Sequence, residues 1–506
     1  MSTRPTTRLG TALLTLLVAT AVPGAARAGT GPSSAGCIPS GTETAINAAL
    51  TGPGAQAVLC QGAVFTLSEP VRFTAADQEL FTEGLPEGTT RATLRLASAT
   101  VTTAVDGVGR SRVAVRNVQI DGDRPTLGPK TGSALVQMGG AATGQIVENS
   151  AIRNPRSWSA LHYYEGAVSS GTPQCQGARI TGNRIGPAGV DRPSGQWADG
   201  ISLACGDSVV SGNTVVDATD GGIVIFGAPG STIENNTVRA EHSELLGGIN
   251  LVDIAPVDGD YTGTTVRGNV VDAKSAFIKV GMAMGWQVWT CGTGTVHGAT
   301  VTGNTLRGLH MGYGYAVNGV RDWTVTGNVD ESRHVGVPTT GCGGTPLSRP
   351  GGYQVQAAST STLQPEFASG QVHHVLGVTE PAILKVGTAP TACIWFQPDE
   401  ALFPGASQTS CDGRFKLTYR RDGDLVLTQV NVTAPLWSSG TAGSPGAVAL
   451  MQQDGNFVIY DAAGVALWST RTGGSSGARL AVQDDGNVVV YTPTGTPLWS
   501  TRTGGR

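Results

Sequence analysis

Charged residues are scarce in this sequence. Only 14% of its 506 residues are Asp, Glu, Lys or Arg, against roughly 25% in an average globular domain. The net charge is −4, which gives no basic face for nucleic acid or anionic lipid, so we expect neither as a partner. Glycine is abundant instead, with 73 residues, about twice the usual share. These proportions predict many tight turns and few charged helices.

Long apolar runs are rare as well. One runs from about Leu9 to Val22, follows Arg4 and Arg8, and precedes an Ala-Arg-Ala tripeptide that ends at Ala28. This order is typical of a secretory signal peptide, so residues 1–28 are assigned to one. No other segment has enough continuous apolar sequence for a membrane helix. We therefore expect a secreted, extracellular protein without a membrane span.

Cys-x-x-Cys pairs are missing, which argues against a zinc site, and the sequence predicts no metal and no cofactor. The chain has eight cysteines, which fits disulfide bonds in an oxidising compartment. Spacing alone does not establish which cysteines pair. Our hypothesis is sequential pairing: Cys37 with Cys60, Cys175 with Cys205, Cys291 with Cys342, and Cys393 with Cys411.

A short unit that ends in asparagine recurs between residues 115 and 330. The asparagines are 23 to 35 residues apart: Asn117, Asn149, Asn183, Asn213, Asn236, Asn269, Asn304 and Asn328. This period, with β-branched residues on either side, predicts a parallel β-helix in which stacked asparagines are structural. We assign residues 29–397 to it, with an N-terminal capping helix at 42–50 and a short helix around 363–376.

Four consecutive turns of this predicted coil carry ionisable groups. If Ile201, Ile223, Ile249 and Ile278 all point inward, the outward column is Ser202, Val224, Asn250 and Lys279. Neighbouring turns are about 4.8 Å apart, so Asp199 and Asp220 would lie close enough to act as acid and base on a glycosidic bond. The alternative is that both aspartates are turn residues that accept backbone hydrogen bonds.

The segments Ala198-Asp199-Gly200-Ile201 and Thr219-Asp220-Gly221 resemble the β-helical glycoside hydrolases, the polygalacturonases and more particularly the mycodextranase-type glucanases. The resemblance implies polysaccharide hydrolysis. Where the family has two adjacent aspartates this chain has Asp220 and Gly221, and we hypothesise that Asp253 replaces the second carboxylate. The predicted catalytic residues are thus Asp199, Asp220, Asp253 and Lys279.

Polysaccharide lyases share this scaffold and use a basic residue, for which Lys279 and His310 are the candidates. Lys279 could instead pair with Asp253. Aromatic faces stack on sugars, and the candidates for lining a groove are His162, Tyr163, Tyr164, Glu165, Trp286, Trp289, Tyr313 and Tyr315.

The last hundred residues contain one motif twice. Its members alternate along the chain: Gln452, Asp454, Asn456, Val458 and Tyr460, then Gln483, Asp485, Asn487, Val489 and Tyr491. Alternate residues of a strand share one face, and amide, carboxylate and phenol groups together suit the hydroxyls of a sugar. The competing interpretation is a pair of hairpin turns at 454–456 and 485–487.

This motif resembles the bulb-type mannose-binding lectins over residues 398–506. The resemblance implies a β-prism of three sheets around a tryptophan cluster, and a mannose-containing glycan as partner. A third copy is degraded, with Arg420, Asp422, Asp424, Val426 and Thr428 at the motif positions. We expect its fold to persist without mannose binding. Trp437, Trp468 and Trp499 recur every 31 residues and should form core.

The sequence therefore predicts an all-β protein, a right-handed parallel β-helix followed by a β-prism lectin domain. The favoured function is a glycoside hydrolase that acts on a polysaccharide and is anchored by the lectin. The alternatives are a non-catalytic carbohydrate-binding or adhesion protein with the β-helix as scaffold, or a polysaccharide lyase. The oligomeric state stays open.

Overall fold

The computed structural model describes residues 36–193, 195–358, 360–385, 389–390, 392–444 and 446–505. The predicted signal peptide, residues 1–28, lies outside the described residues. Two regions follow one another along the chain, a coil of three parallel sheets and a prism of three antiparallel sheets.

Each turn of the coil contributes one strand to each of three sheets, sheets A, B and C, so that neighbours in a sheet are about one turn apart in sequence. Sheet A contains Gln56–Leu59, Glu79–Thr82, Ala114–Arg116, Ile146–Glu148, Arg179–Thr181, Val209–Ser211, Thr232–Glu234, Thr265–Arg267, Thr300–Thr302, Thr324–Thr326 and Thr362–Leu363. Sheet B contains Val64–Leu67, Ala92–Leu96, Val118–Asp121, Ala151–Arg153, Arg184–Ile185, Thr214–Val216, Thr237–Arg239, Val270–Ala273, Thr305–Gly308 and Val329–Asp330.

Sheet C is the widest of the three, and its later strands are the longest in the coil. It contains Val71–Arg72, Val105–Asp106, Val136–Gly139, Ser159–Tyr164, Asp199–Leu203, Gly221–Ile225, Leu245–Leu251, Ile278–Met284, Met311–Arg321, Tyr353–Ala358 and Ala368–Ser369, with Val296–His297 beside it. A separate hairpin pairs Val168–Ser169 with Thr172–Pro173. The predicted parallel β-helix is confirmed.

Six of the eight recurrent asparagines, from Asn183 to Asn328, form a continuous ladder inside the coil. The prediction is wrong for Asn117 and Asn149, which take the left-handed turn position with φ of 49° and 48°. The Asn269 amide nitrogen donates to the Asn304 Oδ1 atom over 2.9 Å and to the Ile233 carbonyl over 2.9 Å. The same side-chain bond joins each successive pair from Asn183 to Asn328. The residue before each ladder asparagine has a left-handed backbone, as at Gly268 with φ of 63°, which glycine adopts without strain.

The two predicted helices have different outcomes. A helix at Glu43–Ala49 covers the first turn and buries Ile46, as expected. The helix around 363–376 is wrong, since this segment continues the coil with strands Thr362–Leu363 and Ala368–Ser369 and has only a 3-10 turn at Val375–Gly377. Gln364 extends the asparagine ladder by one position, because its Oε1 accepts from the Asn328 backbone over 2.9 Å, so packing in the ladder overrides helical periodicity.

The other helices of the described residues are short. They are Arg124–Leu127, Trp286–Trp289 and Ala382–Lys385, with 3-10 turns at Gly88–Thr90 and Cys342–Gly344. In the described part of the chain, no helix is long and apolar enough to cross a membrane.

The prism consists of three four-stranded antiparallel sheets. Prism sheet 1 contains Ser407–Thr409, Phe415–Tyr419, Leu425–Gln429 and Pro435–Ser438; prism sheet 2 contains Ala401–Leu402, Gly446–Met451, Phe457–Asp461 and Ala466–Ser469; prism sheet 3 contains Trp395–Phe396, Arg479–Val482, Val488–Tyr491 and Pro497–Ser500. Its first strand begins three residues before the expected boundary at 398. Trp437, Trp468 and Trp499 meet edge to face, with ring centroids 5.4 to 5.7 Å apart.

Prism sheet 2 packs against sheet C of the coil through one apolar cluster that both regions share. Val280 and Tyr313 of the coil and Val448 and Leu450 of the prism belong to it. Arg333 crosses the junction, donating to the Ala447 carbonyl over 2.9 Å and lying 4.2 Å above the Phe403 ring.

All four predicted disulfide bonds are present: Cys37–Cys60, Cys175–Cys205, Cys291–Cys342 and Cys393–Cys411. Each joins cysteines that are consecutive in the sequence. The sequential hypothesis is confirmed.

Candidate functional site

The register of sheet C decides which side chains share its outer face. Ile201, Ile223 and Ile249 are paired as predicted, but the next partner is Met282 rather than Ile278. The strand Leu245–Leu251 is seven residues long, and Leu245 pairs with Ile278. The fourth member of the outward column is therefore Ala283, and the prediction of Lys279 at that place is wrong.

Lys279 is engaged elsewhere. Its Nζ lies 3.3 Å from Glu244 Oε1 and donates to the Leu376 carbonyl over 2.9 Å. It therefore pairs with Glu244 and not with Asp253. His310, the other candidate base of a lyase, is buried with its Nδ1 atom 2.7 Å from Glu380 Oε1.

Gly221 lies in close contact with the side chains of Asp199 and Asn250 on the outer face of sheet C. A Cβ atom on Gly221 would lie 3.1 Å from Asp199 Oδ1 and 2.9 Å from Asn250 Nδ2. Such contacts are too close for most other residues, so glycine lets both polar side chains lie flat across the strand ends. The Asp-Gly sequence at 220–221 is therefore explained by close approach.

Asp199 is fixed on this surface by two donors. The Gly221 backbone N–H donates to its Oδ1 over 2.9 Å, and the Ser202 hydroxyl donates to its Oδ2 over 2.8 Å. Ser159 lies 2.8 Å from Ser202 and extends the chain of hydrogen bonds. Asp199 is only 5% exposed, so this carboxyl group is held in one orientation.

The pKa values connect Asp199 with the other two predicted aspartates. Burial raises the pKa of Asp220 to about 6. Burial and the charge of Asp220 raise the pKa of Asp253 to about 7. Burial, followed by the charges of Asp220 and Asp253, raises the pKa of Asp199 well above its usual value. The charges of Asp220 and Asp253 thus act on Asp199, and that of Asp220 acts on Asp253, so the structure brings the three carboxyl groups within electrostatic range of one another.

A groove of ≈ 270 Å³ opens beside Asp253. Its lining residues are Trp158, His162, Glu165, Ala204, Phe226, Asp253, Ala255 and Pro256. We call it the acidic groove. Trp158 and His162 meet edge to face with ring centroids 4.8 Å apart, and Trp158 is 38% exposed. Aromatic side chains of this kind can stack on sugar rings.

The expected aromatic lining is only partly right. His162 and Glu165 line the groove and Tyr164 is exposed, whereas Tyr163, Tyr313 and Tyr315 are fully buried. Trp286 and Trp289 are half-buried on a short helix. Tyr163 and Tyr315 occupy inward positions of sheet C and pack in the coil core, while Tyr313 packs in the junction cluster.

Sequence reasoning missed Trp158 and Phe226 as groove residues and gave Asn250 no role. Asn250 is 1% exposed, and neither its Nδ2 nor its Oδ1 has a hydrogen-bond partner among the described residues. Buried polar groups are nearly always partnered, so this side chain is suited to bind a ligand or water. The sequence feature that could have indicated a role for Asn250 is its place in the outward column, next to Val224.

The two prism motifs have matching side-chain contacts. Gln452 Nε2 donates to the Tyr460 hydroxyl over 3.0 Å, and Gln483 Nε2 donates to the Tyr491 hydroxyl over 2.9 Å. Val458 and Val489 are each 2% exposed at the pocket floors. In both copies the amide and phenol of the motif are therefore already in contact.

The remaining motif residues also correspond between the copies. Asp454 Oδ1 accepts from the Asn456 backbone over 2.9 Å, and Asp485 Oδ1 accepts from Asn487 over 2.9 Å. Asn456 Oδ1 accepts from Thr470 and Thr472, as Asn487 Oδ1 does from Thr501 and Thr503. The hairpin-turn interpretation thus holds for the backbone, while the Asp454 and Asp485 side chains stay exposed.

The degraded third copy is different. Asp424 accepts hydrogen bonds from the Ser438 and Ser439 hydroxyls and from the Gly440 and Thr441 backbone. This carboxylate stands where the intact copies have asparagine, and its acceptor capacity is used inside the prism.

The comparisons with known proteins agree with the coil. A family model described as a right-handed β-helix region matches residues 136–330, and the β-helix is thus right-handed. Such a scaffold supports a carbohydrate-active or polysaccharide-binding role. The comparison with curated proteins finds no match.

Solved structures similar to the chain are lectins. A lectin of Marasmius oreades is 30% identical, with 23% of this chain and 95% of that chain covered and a TM-score of 0.22. A lectin of Allium sativum is 33% identical, covering 21% and 99%, with a TM-score of 0.18. The mannose-specific agglutinin of snowdrop, complexed with methyl-α-D-mannoside, is 33% identical, covering 22% and 96%, with a TM-score of 0.18.

The four disulfide bonds are compatible with an extracellular location, because such bonds persist in oxidising compartments. Among the described side chains, no cluster of His, Cys, Asp or Glu could hold a metal ion.

Proposed function

We propose that the protein is a secreted glycoside hydrolase that cleaves a polysaccharide in the acidic groove and is anchored to mannose-type glycans by its prism. The observation that carries this proposal is that Asp253 lines the acidic groove and interacts electrostatically with Asp199 and Asp220, with the pKa of each raised. Perturbed carboxyls in a cleft are typical of acid–base catalysis.

The chemistry requires one protonated and one ionised carboxyl group at the same pH. With pKa values of about 6 for Asp220 and about 7 for Asp253, both forms coexist in the group near neutral pH. A protonated carboxyl gives its proton to the glycosidic oxygen as the bond from the anomeric carbon breaks. An ionised carboxyl removes a proton from the attacking water, and the product gains a new reducing end.

Asn250 and Trp158 support binding of a sugar chain at this place. The unpartnered amide of Asn250 can both donate to and accept from hydroxyl groups. Trp158 offers an exposed ring beside the groove. Together they provide the polar and apolar contacts that a saccharide needs.

The prism pockets support the anchoring role. Gln452 with Tyr460 and Gln483 with Tyr491 are in hydrogen-bond contact before any ligand is bound, which lowers the ordering cost of binding. A tether of this kind raises the local concentration of substrate for the catalytic groove. Mannose is proposed because of the motif resemblance.

The test measures product release from a panel of α-glucans, β-glucans, mannans and pectins. The proposal predicts new reducing ends from at least one polymer and their loss in Asp199→Asn. Asp207→Asn is the control, since Asp207 is an exposed turn residue with φ of 48°, a conformation that asparagine tolerates. Products that absorb in the ultraviolet would indicate a lyase.

If no polymer yields product, or Asp199→Asn keeps full activity, the hydrolase proposal is wrong. The protein would then be a binding factor in which Asp199 is a structural strand residue held by Ser202 and Gly221.

The anchoring role is tested separately by binding to mannan. An Asn456→Ala and Asn487→Ala double variant is expected to lose this binding. Full binding by the double variant would contradict the pocket assignment.

A further inference from the structure

A second cavity adjoins the acidic groove. It has a volume of ≈ 350 Å³, and its lining includes Arg124, Lys130, Arg156, Trp158, Gln196 and Trp197. We call it the Arg124 cavity. Trp158 lines both cavities, and its carbonyl accepts from the Asp199 backbone over 2.7 Å. The Arg124 cavity therefore begins one turn of the coil away from the first catalytic aspartate.

This cavity is positively charged without compensation. Its lining contains three cationic residues and no Asp or Glu. Arg124 is 7% exposed and Arg156 is 3% exposed, and neither they nor Lys130 form an ion pair with any described residue. By contrast, Arg153 in the same coil lies 2.9 Å from Asp121. Because buried charges are normally paired, an anion is the ligand that this cavity favours.

The three cations differ in what they can offer. Arg156 donates to four backbone carbonyl groups, so it is fixed in place and contributes mainly its charge. Arg124 donates to the Pro155 and Gln196 carbonyls, which uses two of the five N–H groups of a guanidinium. Lys130 is exposed, and its Nζ donates to no described residue. Direct contact with a ligand therefore falls to Arg124 and Lys130.

Two tryptophans flank these cations. Trp158 is exposed and also lines the acidic groove, and Trp197 is half-buried in the lining of the Arg124 cavity. Indole faces stack on the apolar face of a sugar ring, and guanidinium groups bind carboxylate or sulfate oxygens through two parallel hydrogen bonds. The combination fits a sugar that carries a negative group better than a free inorganic ion.

We propose that the Arg124 cavity binds the carboxylate or sulfate group of a sugar residue in the glycan chain that occupies the acidic groove. The inference rests on the proposed function for the identity of the groove ligand. It adds the substrate class, an anionic polysaccharide, which the net charge of the chain does not indicate.

The experiment measures binding to the full-length Asp220→Asn protein, so that cleavage does not interfere. The probes are two matched pairs: polygalacturonate with its methyl ester, and a sulfated galactan with its desulfated form. We expect the charged member of one pair to bind about 10-fold more tightly than its neutral partner at low ionic strength, with the difference shrinking as salt is added. The pair that shows the difference identifies carboxylate or sulfate.

Substitutions at Lys130 test the position of the anion. Lys130→Ala should weaken binding of the charged probe about 3- to 5-fold, the range expected for one partly exposed charge contact, and Lys130→Glu should weaken it further. Binding of the neutral partner should change less than about 2-fold in both variants. Lys274→Ala is the matched control, because Lys274 is an exposed lysine that pairs with Glu241 far from the cavity lining.

Equal binding of charged and neutral probes, or a Lys130→Glu variant with unchanged binding, would overturn the inference. Charge-dependent binding at Lys130 without any product from the wild-type protein would leave the anion site intact and overturn the hydrolase proposal. If neutral polymers are cleaved and Lys130→Glu does not change product release, the hydrolase proposal stands and the anion site is overturned.

Discussion

Two sets of buried polar side chains in the coil are in opposite states. Asn269 in the ladder is 1% exposed, donates to Asn304 and Ile233, and accepts from Asn236. Asn250 on the outer face of sheet C is also 1% exposed, yet its amide has no partner among the described residues. The two residues have the same chemistry and the same depth, and only their hydrogen bonding differs.

The difference separates a structural network from a candidate site. A completely partnered ladder stabilises the coil, because every buried donor and acceptor is satisfied. An amide without hydrogen-bond partners lowers the stability of the fold, and so does a carboxyl group whose pKa is raised. Such groups persist where a ligand can form hydrogen bonds with them. Hydrogen-bond satisfaction thus distinguishes Asn269 from Asn250, which have the same burial.

The largest expected effect is on catalysis. Replacing Asp220 by asparagine removes an ionisable group from the acidic face and should lower product release by roughly 100- to 10,000-fold, the usual contribution of a general acid or base. The melting temperature should not fall, because a carboxyl group with a raised pKa is removed. Activity within 2-fold of wild type would place Asp220 with the structural residues.

The ladder should give the largest effect on stability. Asn269→Ala removes two donated bonds and takes away the acceptor of the Asn236 backbone N–H and of one Asn236 amide hydrogen, so the free energy of unfolding should fall by roughly 2 to 4 kcal/mol. The matched variant Asn250→Ala loses no hydrogen bond to a described residue and should change the same quantity by no more than about 1 kcal/mol. Equal losses in chemical denaturation would remove the distinction between the two sets.

The acidic face should also make stability depend on pH. Asp253 has a pKa raised from 3.8 to about 7, so its neutral form favours the folded state and its contribution is lost as the pH rises from about 4 through about 7. We expect the free energy of unfolding of Asp253→Asn to exceed that of the wild type by roughly 1 to 3 kcal/mol at pH 8 and to be about equal to it at pH 4. Asp121, whose pKa is lowered, has the opposite effect. Its ionised form stabilises the folded state above the usual carboxyl pKa, and this stabilisation is lost as the pH falls below that value. A pH-independent difference would contradict the shared burial of the three aspartates.

The smallest expected effect is on sugar binding by the prism pockets. Their exposed carboxylates, like the amide of Asn250, are the polar groups that would bind a ligand. A Cβ atom on Gly504 would lie 2.8 Å from Asp485 Oδ2, whereas one on Gly473 would lie 3.2 Å from Asp454 Oδ2. Gly504→Ala should therefore weaken methyl mannoside binding about 5-fold, and Gly473→Ala about 2-fold. Titration in Asn456→Ala and Asn487→Ala backgrounds isolates each pocket, and the reverse order would contradict the assigned geometry.

Much of the architecture could be read from the chain because it repeats. The asparagine period predicts the coil, and the spacing of Trp437, Trp468 and Trp499 predicts the centre of the prism. The predicted helix around 363–376 is wrong because apolar periodicity over a short segment does not account for a ladder that Gln364 can continue. The predicted position of Lys279 is wrong because periodicity does not fix the register where strands of sheet C differ in length.

The site was predicted in part. Asp199 and Asp220 were predicted because Asp-Gly pairs on neighbouring turns are a local signal, and Asp253 was predicted because it follows on the next turn. Trp158 was missed because it precedes its strand and reaches the groove only through the fold of sheet C. Lys130 and Arg124 were missed because a low overall charge says nothing of where unpaired cations gather.

By itself, the sequence determined the repeat: alternation and period are local properties that fix strands, turns, the asparagine ladder and the prism motifs. The tertiary structure alone decided which polar groups remain without partners. That depends on strand register and on the direction of each side chain in a stacked coil, so Asn250, the three aspartates and the Arg124 cavity acquire their properties only when distant turns are brought into contact.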